Sequence, residues 1–215
     1  MDIAIVLYDR FTALDAIGPY EVLSRLPGAN VSFVAVEAGP VHSDNGMLTI
    51  QASRSLEELP TPEIVLVPGG PGEVAVRAGE QLLDWLRAAH RTSAWTTSVC
   101  TGSLILAAAG LLDGLSATSH WLAMDELAAL GAVPTAQRVV FEGKIVTAAG
   151  VSAGIDMALE LAARIAGREV AEAIQLGIEY DPQPPFDSGS PAKAPAEVRS
   201  LLEAASRFSE QRTAG

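Results

Sequence analysis

A single cysteine, Cys100, and three histidines, His42, His90 and His120, scattered without metal-ligand spacing, exclude an internal disulfide and any metal site built on cysteine. Basic side chains are also scarce. With 14 Lys and Arg against 26 Asp and Glu the net charge is −12, which argues against nucleic acid or an anionic membrane as the main partner. No apolar run approaches the length of a membrane span, and the opening Met1-Asp2-Ile3-Ala4-Ile5-Val6 has no basic leader or export-type cleavage site, so a cytoplasmic protein is expected. Internal repeats and domain-dividing linkers are absent as well. The expectation is one domain over residues 1–195, with residues 196–215 as a C-terminal helix and tail of that domain.

What the chain does have is 49 % hydrophobic residues in 215, enough to bury a full core and a weak hint of an oligomer interface. Ile3 to Tyr8 is a nearly continuous apolar run, as in a central strand covered on both faces, and Val31–Val36 and Ile64–Val67 repeat the pattern. Asp44-Asn45-Gly46 marks a hairpin turn within Val41–Gln51, and Glu142-Gly143 another between Arg138–Phe141 and Lys144–Ala148. Helices are expected from Pro19 onward, over Glu80–Arg91, Leu104–Ala109, Trp121–Leu130, Ser152–Ala166, Arg168–Glu179 and Pro195–Glu210, with Arg212–Gly215 frayed. Alternation of helix and buried strand predicts a doubly wound, mostly parallel sheet, which binds ligands at the carboxyl ends of its strands.

Three stretches converge on that edge. Trp95 to Val99 reads as a strand and Leu104 to Ala109 as a helix, which places Cys100 on a sharp strand-to-helix turn. Unpaired N–H groups at the helix start favour a thiolate there. Lowering a thiol from about 8.5 to about 6 raises the thiolate fraction at neutral pH from about 3 % to about 90 %, for about 3.4 kcal/mol. The other reading of Cys100 is a buried structural cysteine. Asp15, expected on a loop just ahead of the helix that Pro19 opens, is either a simple cap or a site carboxylate. Pro68-Gly69-Gly70-Pro71-Gly72 leaves a strand with glycines that let a ligand approach the backbone; it lacks the Lys-Ser/Thr of a P-loop, and no acidic strand end follows to make it a dinucleotide fingerprint. His120 is a structural histidine or a partner of the site, and Ala148-Ala149-Gly150-Val151 is small enough for a substrate or another backbone to come close.

These residues carry a resemblance. Leu14-Asp15-Ala16-Ile17-Gly18-Pro19, Pro68-Gly69-Gly70, Thr97-Ser98-Val99-Cys100-Thr101-Gly102-Ser103, Ala117-Thr118-Ser119-His120-Trp121, Ala153-Gly154-Ile155-Asp156, Ile174-Gln175-Leu176 and Glu179-Tyr180-Asp181-Pro182-Gln183-Pro184-Pro185-Phe186 resemble the ThiJ/PfpI superfamily, relatives of the class I glutamine amidotransferases, and within it the bacterial isocyanide hydratases. The matching pieces span about residue 3 to about residue 195. The resemblance implies a flavodoxin-like three-layer α/β/α sandwich, a homodimer with its site near the subunit interface, a small-molecule substrate, and neither metal nor organic cofactor. It carries the nucleophile to Cys100, the acid/base carboxylate to Asp15, a polar neighbour to Thr101, and a substrate-facing N–H to Gly70, with Gly69 and Val151 beside the substrate.

Departures sharpen the expectation. Thr101 follows the cysteine where protease-type members have histidine, and the late His-x-Glu of amidotransferases is missing; both count against peptidase and amidotransferase activity. Ala148-Ala149 stands where the hydratase pattern has glycines. The expected reaction is hydration of an isocyanide to a formamide. The alternatives are another hydrolase-like or glyoxalase-like reaction on the same cysteine, and an oxidant or ligand sensor without turnover.

Overall fold

The computed structural model describes residues 1–208; the expected end of the last helix at Glu210 and the frayed Arg212–Gly215 lie outside the described residues. In chain order the elements are β1 (Asp2–Val6), α1 (Ala13–Leu23), β2 (Asn30–Ala35), β3 (Gly39–His42), β4 (Thr49–Ala52), β5 (Arg54–Ser55), β6 (Ile64–Val67), α2 (Glu73–Arg77), α3 (Gln81–Thr92), β7 (Trp95–Val99), α4 (Gly102–Ala108), β8 (Ser116–Ala117), a 3₁₀ turn (Trp121–Ala123), α5 (Met124–Ala129), β9 (Val133–Pro134), β10 (Val139–Glu142), β11 (Ile145–Ala148), α6 (Ala153–Ala166), α7 (Arg168–Gly177) and α8 (Ala196–Ala204). Seven strands form one sheet in the order β10-β11-β7-β6-β1-β2-β5, parallel throughout except for the antiparallel β10 at one edge. The apolar runs explain its middle: Ile3 to Val6 and Ile64 to Val67 are wholly buried because helices cover both faces. Helices α1, α6 and α7 pack on one side and α2 to α5 on the other, giving the flavodoxin-like α/β/α sandwich.

The order reverses at β1 and β6. From there one branch runs outward through β2 and the other through β7 and β11, so the carboxyl ends of β1 and β6 open the crevice where such sheets bind ligands.

The start of α1 differs from the expectation. The helix begins at Ala13, so Asp15 lies in its first turn, not on a loop, and Pro19 sits inside the helix. Pro19 removes the N–H that the Asp15 carbonyl would receive, a cost of about 3 kcal/mol in an isolated helix. Close packing on α6 offsets it: Pro19 lies against Gly154, and Gly18 against Ile155, where added β-carbons would come within 3.0 Å of the facing side chain.

Candidate active site

Cys100 follows β7 directly and lies in the left-handed region, at φ +57°, a conformation that costs a side-chain-bearing residue free energy and persists only when its surroundings hold it. They do so from both sides. The Cys100 N–H is shared between the carbonyls of Ala148 (3.0 Å) and Ala149 (2.9 Å), and the Cys100 carbonyl accepts from Ser103 Oγ (3.1 Å) and Ser119 Oγ (3.0 Å). Gly102, two residues on, has to be glycine, because a β-carbon would sit 2.2 Å from the Val67 carbonyl oxygen. The residue so held is 6 % exposed.

Asp15 is fully buried, and its side chain does not cap α1: the residue at the cap is Thr12, and Asp15 Oδ2 accepts the Gly69 N–H at 2.9 Å. Its Oδ1 has no hydrogen-bond partner among the described residues, an unusual state for a buried carboxyl and one that leaves an oxygen for the thiol and for a ligand. Burial pushes the Asp15 carboxyl up to about 7, against the Gly69 N–H and the Cys100 thiol, which favour the ionised form. Desolvation is the largest cause, and the charge of Asp44 adds to it in the same direction.

The Cys100 thiol also departs from expectation: it is pushed up, not down. Burial is the main cause and the Asp15 carboxylate the next, while the N–H groups of Thr101 and Val151 pull the other way. Helix α4, seven residues long, does not outweigh them. Burial thus tightens the hold of both groups on their protons, the Asp15 carboxylate tightens that of the thiol further, and the two titrate as a pair.

The glycine loop is as tight as its composition suggests. A β-carbon on Gly69 would lie 2.5 Å from the Thr101 nitrogen and 2.9 Å from Asp15 Oδ2; one on Gly70, at φ +136°, would lie 2.5 Å from the Arg10 carbonyl oxygen. The Gly70 N–H, expected to face a substrate, donates instead to Thr101 Oγ1 at 2.9 Å. The Thr101 hydroxyl, one residue past Cys100, offers that N–H a nearer acceptor. The N–H groups that act on the sulfur are those of Thr101 and Val151, the latter on a turn at φ +25°.

His120 stands apart. Its Nδ1 accepts the Leu122 N–H at 3.4 Å at the head of the 3₁₀ turn, its ring lies against Gly150, and burial lowers its basicity. Tyr8, which sequence reasoning passed over, donates its hydroxyl to the Pro68 carbonyl at 2.8 Å; burial and then the charges of Asp15, Glu73 and Cys100 suppress its ionisation. An aromatic polar residue at the end of a buried strand was the only available signal. Among the described residues no cluster of three or more His, Cys, Asp or Glu could hold a metal ion.

A buried thiol, a proton-holding carboxyl and two converging N–H groups can add a nucleophile and a proton to one small electrophile. The profile of the DJ-1/PfpI family matches residues 1–164. The chain is 44 % identical over 198 residues to an isonitrile hydratase from Pseudomonas putida, covering 92 % of this chain and 86 % of that one. It is 34 % identical over 149 residues to the transcriptional regulator CdhR of Pseudomonas aeruginosa, 68 % of this chain but 43 % of the regulator. A crystal structure of a ThiJ/PfpI family protein from Pseudomonas syringae superposes with a TM-score of 0.93 at 40 % identity, covering 97 % of this chain and 87 % of that one. Drosophila melanogaster DJ-1beta, at 22 % identity, TM-score 0.76 and coverage of 84 % and 98 %, shares the fold.

Proposed function

The chain belongs to the DJ-1/PfpI family, and we propose that its reaction is the addition of water to an isocyanide, R–N≡C, giving the N-substituted formamide. The observation that carries this reading is the buried pairing of Cys100 with Asp15. The terminal carbon of an isocyanide has to gain both a nucleophile and a proton, and this pair holds one of each.

In the first step Asp15 takes the thiol proton as Sγ attacks the terminal carbon, and returns that proton to the same carbon. The product is a covalent thioimidate, Cys–S–CH=N–R, with the carboxyl ionised again. In the second, Asp15 draws a proton from a water that attacks the thioimidate carbon, and passes it to nitrogen. The tetrahedral adduct collapses, the second proton of the water returns through Asp15 to sulfur, and R–NH–CHO leaves. A carboxyl near 7 suits both roles at neutral pH, since neither form is scarce. The N–H groups of Thr101 and Val151 stabilise sulfur whenever it carries charge, and Thr101 Oγ1 and Gly69 N–H hold the loop and the carboxylate in place. The same reading makes the protein a cytoplasmic homodimer, for which Leu14, Leu176 and Phe186 offer exposed apolar surface.

Purified protein mixed with a simple alkyl isocyanide is expected to yield the formamide. Cys100→Ala and Asp15→Asn should each lose at least about a hundredfold in kcat, the range general acid–base groups contribute. Full turnover by either variant would sink the mechanism. Turnover of α-oxoaldehydes or esters, with isocyanides untouched, would move the reading to another cysteine-dependent reaction; binding without turnover would move it toward the sensing role suggested by the regulator.

A further inference from the structure

Val151 is β-branched and held at φ +25°, so the turn that aims its N–H at Cys100 has to be fixed from outside. Arg138, the residue before β10, touches that turn on both sides. Its carbonyl accepts the Ala149 N–H at 2.9 Å, and the Ala149 carbonyl in turn receives the Cys100 N–H at 2.9 Å. Its guanidinium reaches past Gly150 and Val151 to Ser152 Oγ (Nη2, 3.2 Å) and to the carboxylate of Asp156, one turn into α6. Tyr180, beyond α7, donates its hydroxyl to Asp156 Oδ1 at 2.9 Å and so fixes the carboxylate that fixes the guanidinium.

We propose that Arg138 is a positioning residue of the Cys100 site: it clamps the chain before and after the Gly150-Val151 turn and so holds the Val151 N–H against Sγ, with Asp156 and Tyr180 orienting its guanidinium. The inference rests on Cys100 being the nucleophile. A stabilising role does not account for the arrangement. The Arg138 and Asp156 side chains are 49 % and 30 % exposed, and ion pairs so placed add little to folding. The geometric demand is specific to arginine, because a planar fork can reach Ser152 and Asp156 together and a lysine ammonium cannot.

The test is the rate of Cys100 alkylation by iodoacetamide against pH, on the full chain, for the parent, Arg138→Met, Arg138→Lys and Tyr180→Phe. The ionisable group acting on the thiol, Asp15 in α1, and the group the thiol acts on, Tyr8 after β1, are untouched in every variant. Both Arg138 variants are expected to react about tenfold more slowly at a fixed pH below the inflection, with the inflection moved up, and Tyr180→Phe about threefold more slowly, all with urea midpoints close to the parent. With an isocyanide the same variants should lose kcat and keep KM. A parent-like profile in Arg138→Met overturns the inference, and so does a parent-like profile in Arg138→Lys, which would show that charge alone is required. If Arg138→Met does not fold, Tyr180→Phe decides by the same criterion. Alkylation does not depend on the substrate: shifted profiles in a protein that leaves isocyanides untouched would remove the hydratase reading and keep this one.

Discussion

At the scale of single residues the site is governed by where protons go when two acids are buried together. The folded Asp15 carboxyl keeps its proton to about pH 7, whereas the ordinary value is 3.8. Between those values the folded chain binds more protons than the unfolded one, so stability falls as pH rises through that window. Asp15→Asn keeps an acceptor for the Gly69 N–H and cannot ionise. It is expected to match the parent in urea unfolding near pH 4 and to exceed it at pH 8, by up to a few kcal/mol at about 1.4 kcal/mol per tenfold change in ionisation. Equal stability at both pH values would contradict the burial argument. Gly69→Ala is the steric counterpart. Its β-carbon would press on the Thr101 backbone 2.5 Å away, so a loss of about 1–3 kcal/mol in denaturation and at least tenfold in turnover is expected.

At the scale of elements, the turn carrying Cys100 is held by two hydroxyls on one carbonyl, Ser103 from α4 and Ser119 from the segment after β8. Either alone satisfies a buried acceptor that, without both, keeps only the long Ser103 N–H contact at 3.5 Å. Ser103→Ala and Ser119→Ala are each expected to cost about 1 kcal/mol, and the pair to cost more than the sum. A double-mutant cycle by chemical denaturation that came out additive would show that the hydroxyls act independently. This scale also separates what the sequence made legible from what it did not. Apolar runs announced β1, β2 and β6, the Thr-, Val- and Trp-rich segment ahead of Cys100 announced β7, and Asn45-Gly46 announced the β3–β4 hairpin, because burial and turn chemistry are local properties. The two-residue strands β5, β8 and β9 and the short α2 have no local signal, since pairing with distant partners creates them. The early start of α1 was hidden for a related reason: its proline is tolerated only because α6 packs against it. Within the site, the grouping of Asp15, Gly69 and Cys100 followed from parallel topology. The upward push on the thiol, the engaged Gly70 N–H and the role of the Val151 turn depend on burial and on contacts between segments about 30 to 50 residues apart, which spacing does not encode.

At the scale of the molecule, the C-terminal segment is tied to the loop that carries Gly69. Glu73, wholly buried at the start of α2, pairs with Arg77 and with Arg207, and both arginines also pair with Glu126, closing a ring of four alternating charges. Burial raises the Glu73 carboxyl and the arginines oppose it. Breaking a buried pair costs about 3–5 kcal/mol, and with Arg207 36 % exposed the loss for Arg207→Met is expected to be about 1–3 kcal/mol. The deficit should shrink as the pH falls and Glu73 takes up a proton. Urea unfolding at pH 7 and pH 4.5 checks it, and a deficit independent of pH would mean that packing, not charge, joins the segment to α2.

The sharing of the Cys100 N–H between the carbonyls of Ala148 and Ala149 has a consequence for the order in which the protein comes into being. Synthesis delivers the thiol almost fifty residues before the strand that closes around it. Until β11 has threaded alongside β7, a parallel pairing that local contacts cannot nucleate, Cys100 is an ordinary solvated thiol on an unfinished sheet. Burial, the donor on Val151 and the clamp on its turn all depend on that docking, so the site cannot be complete before β11 is in place.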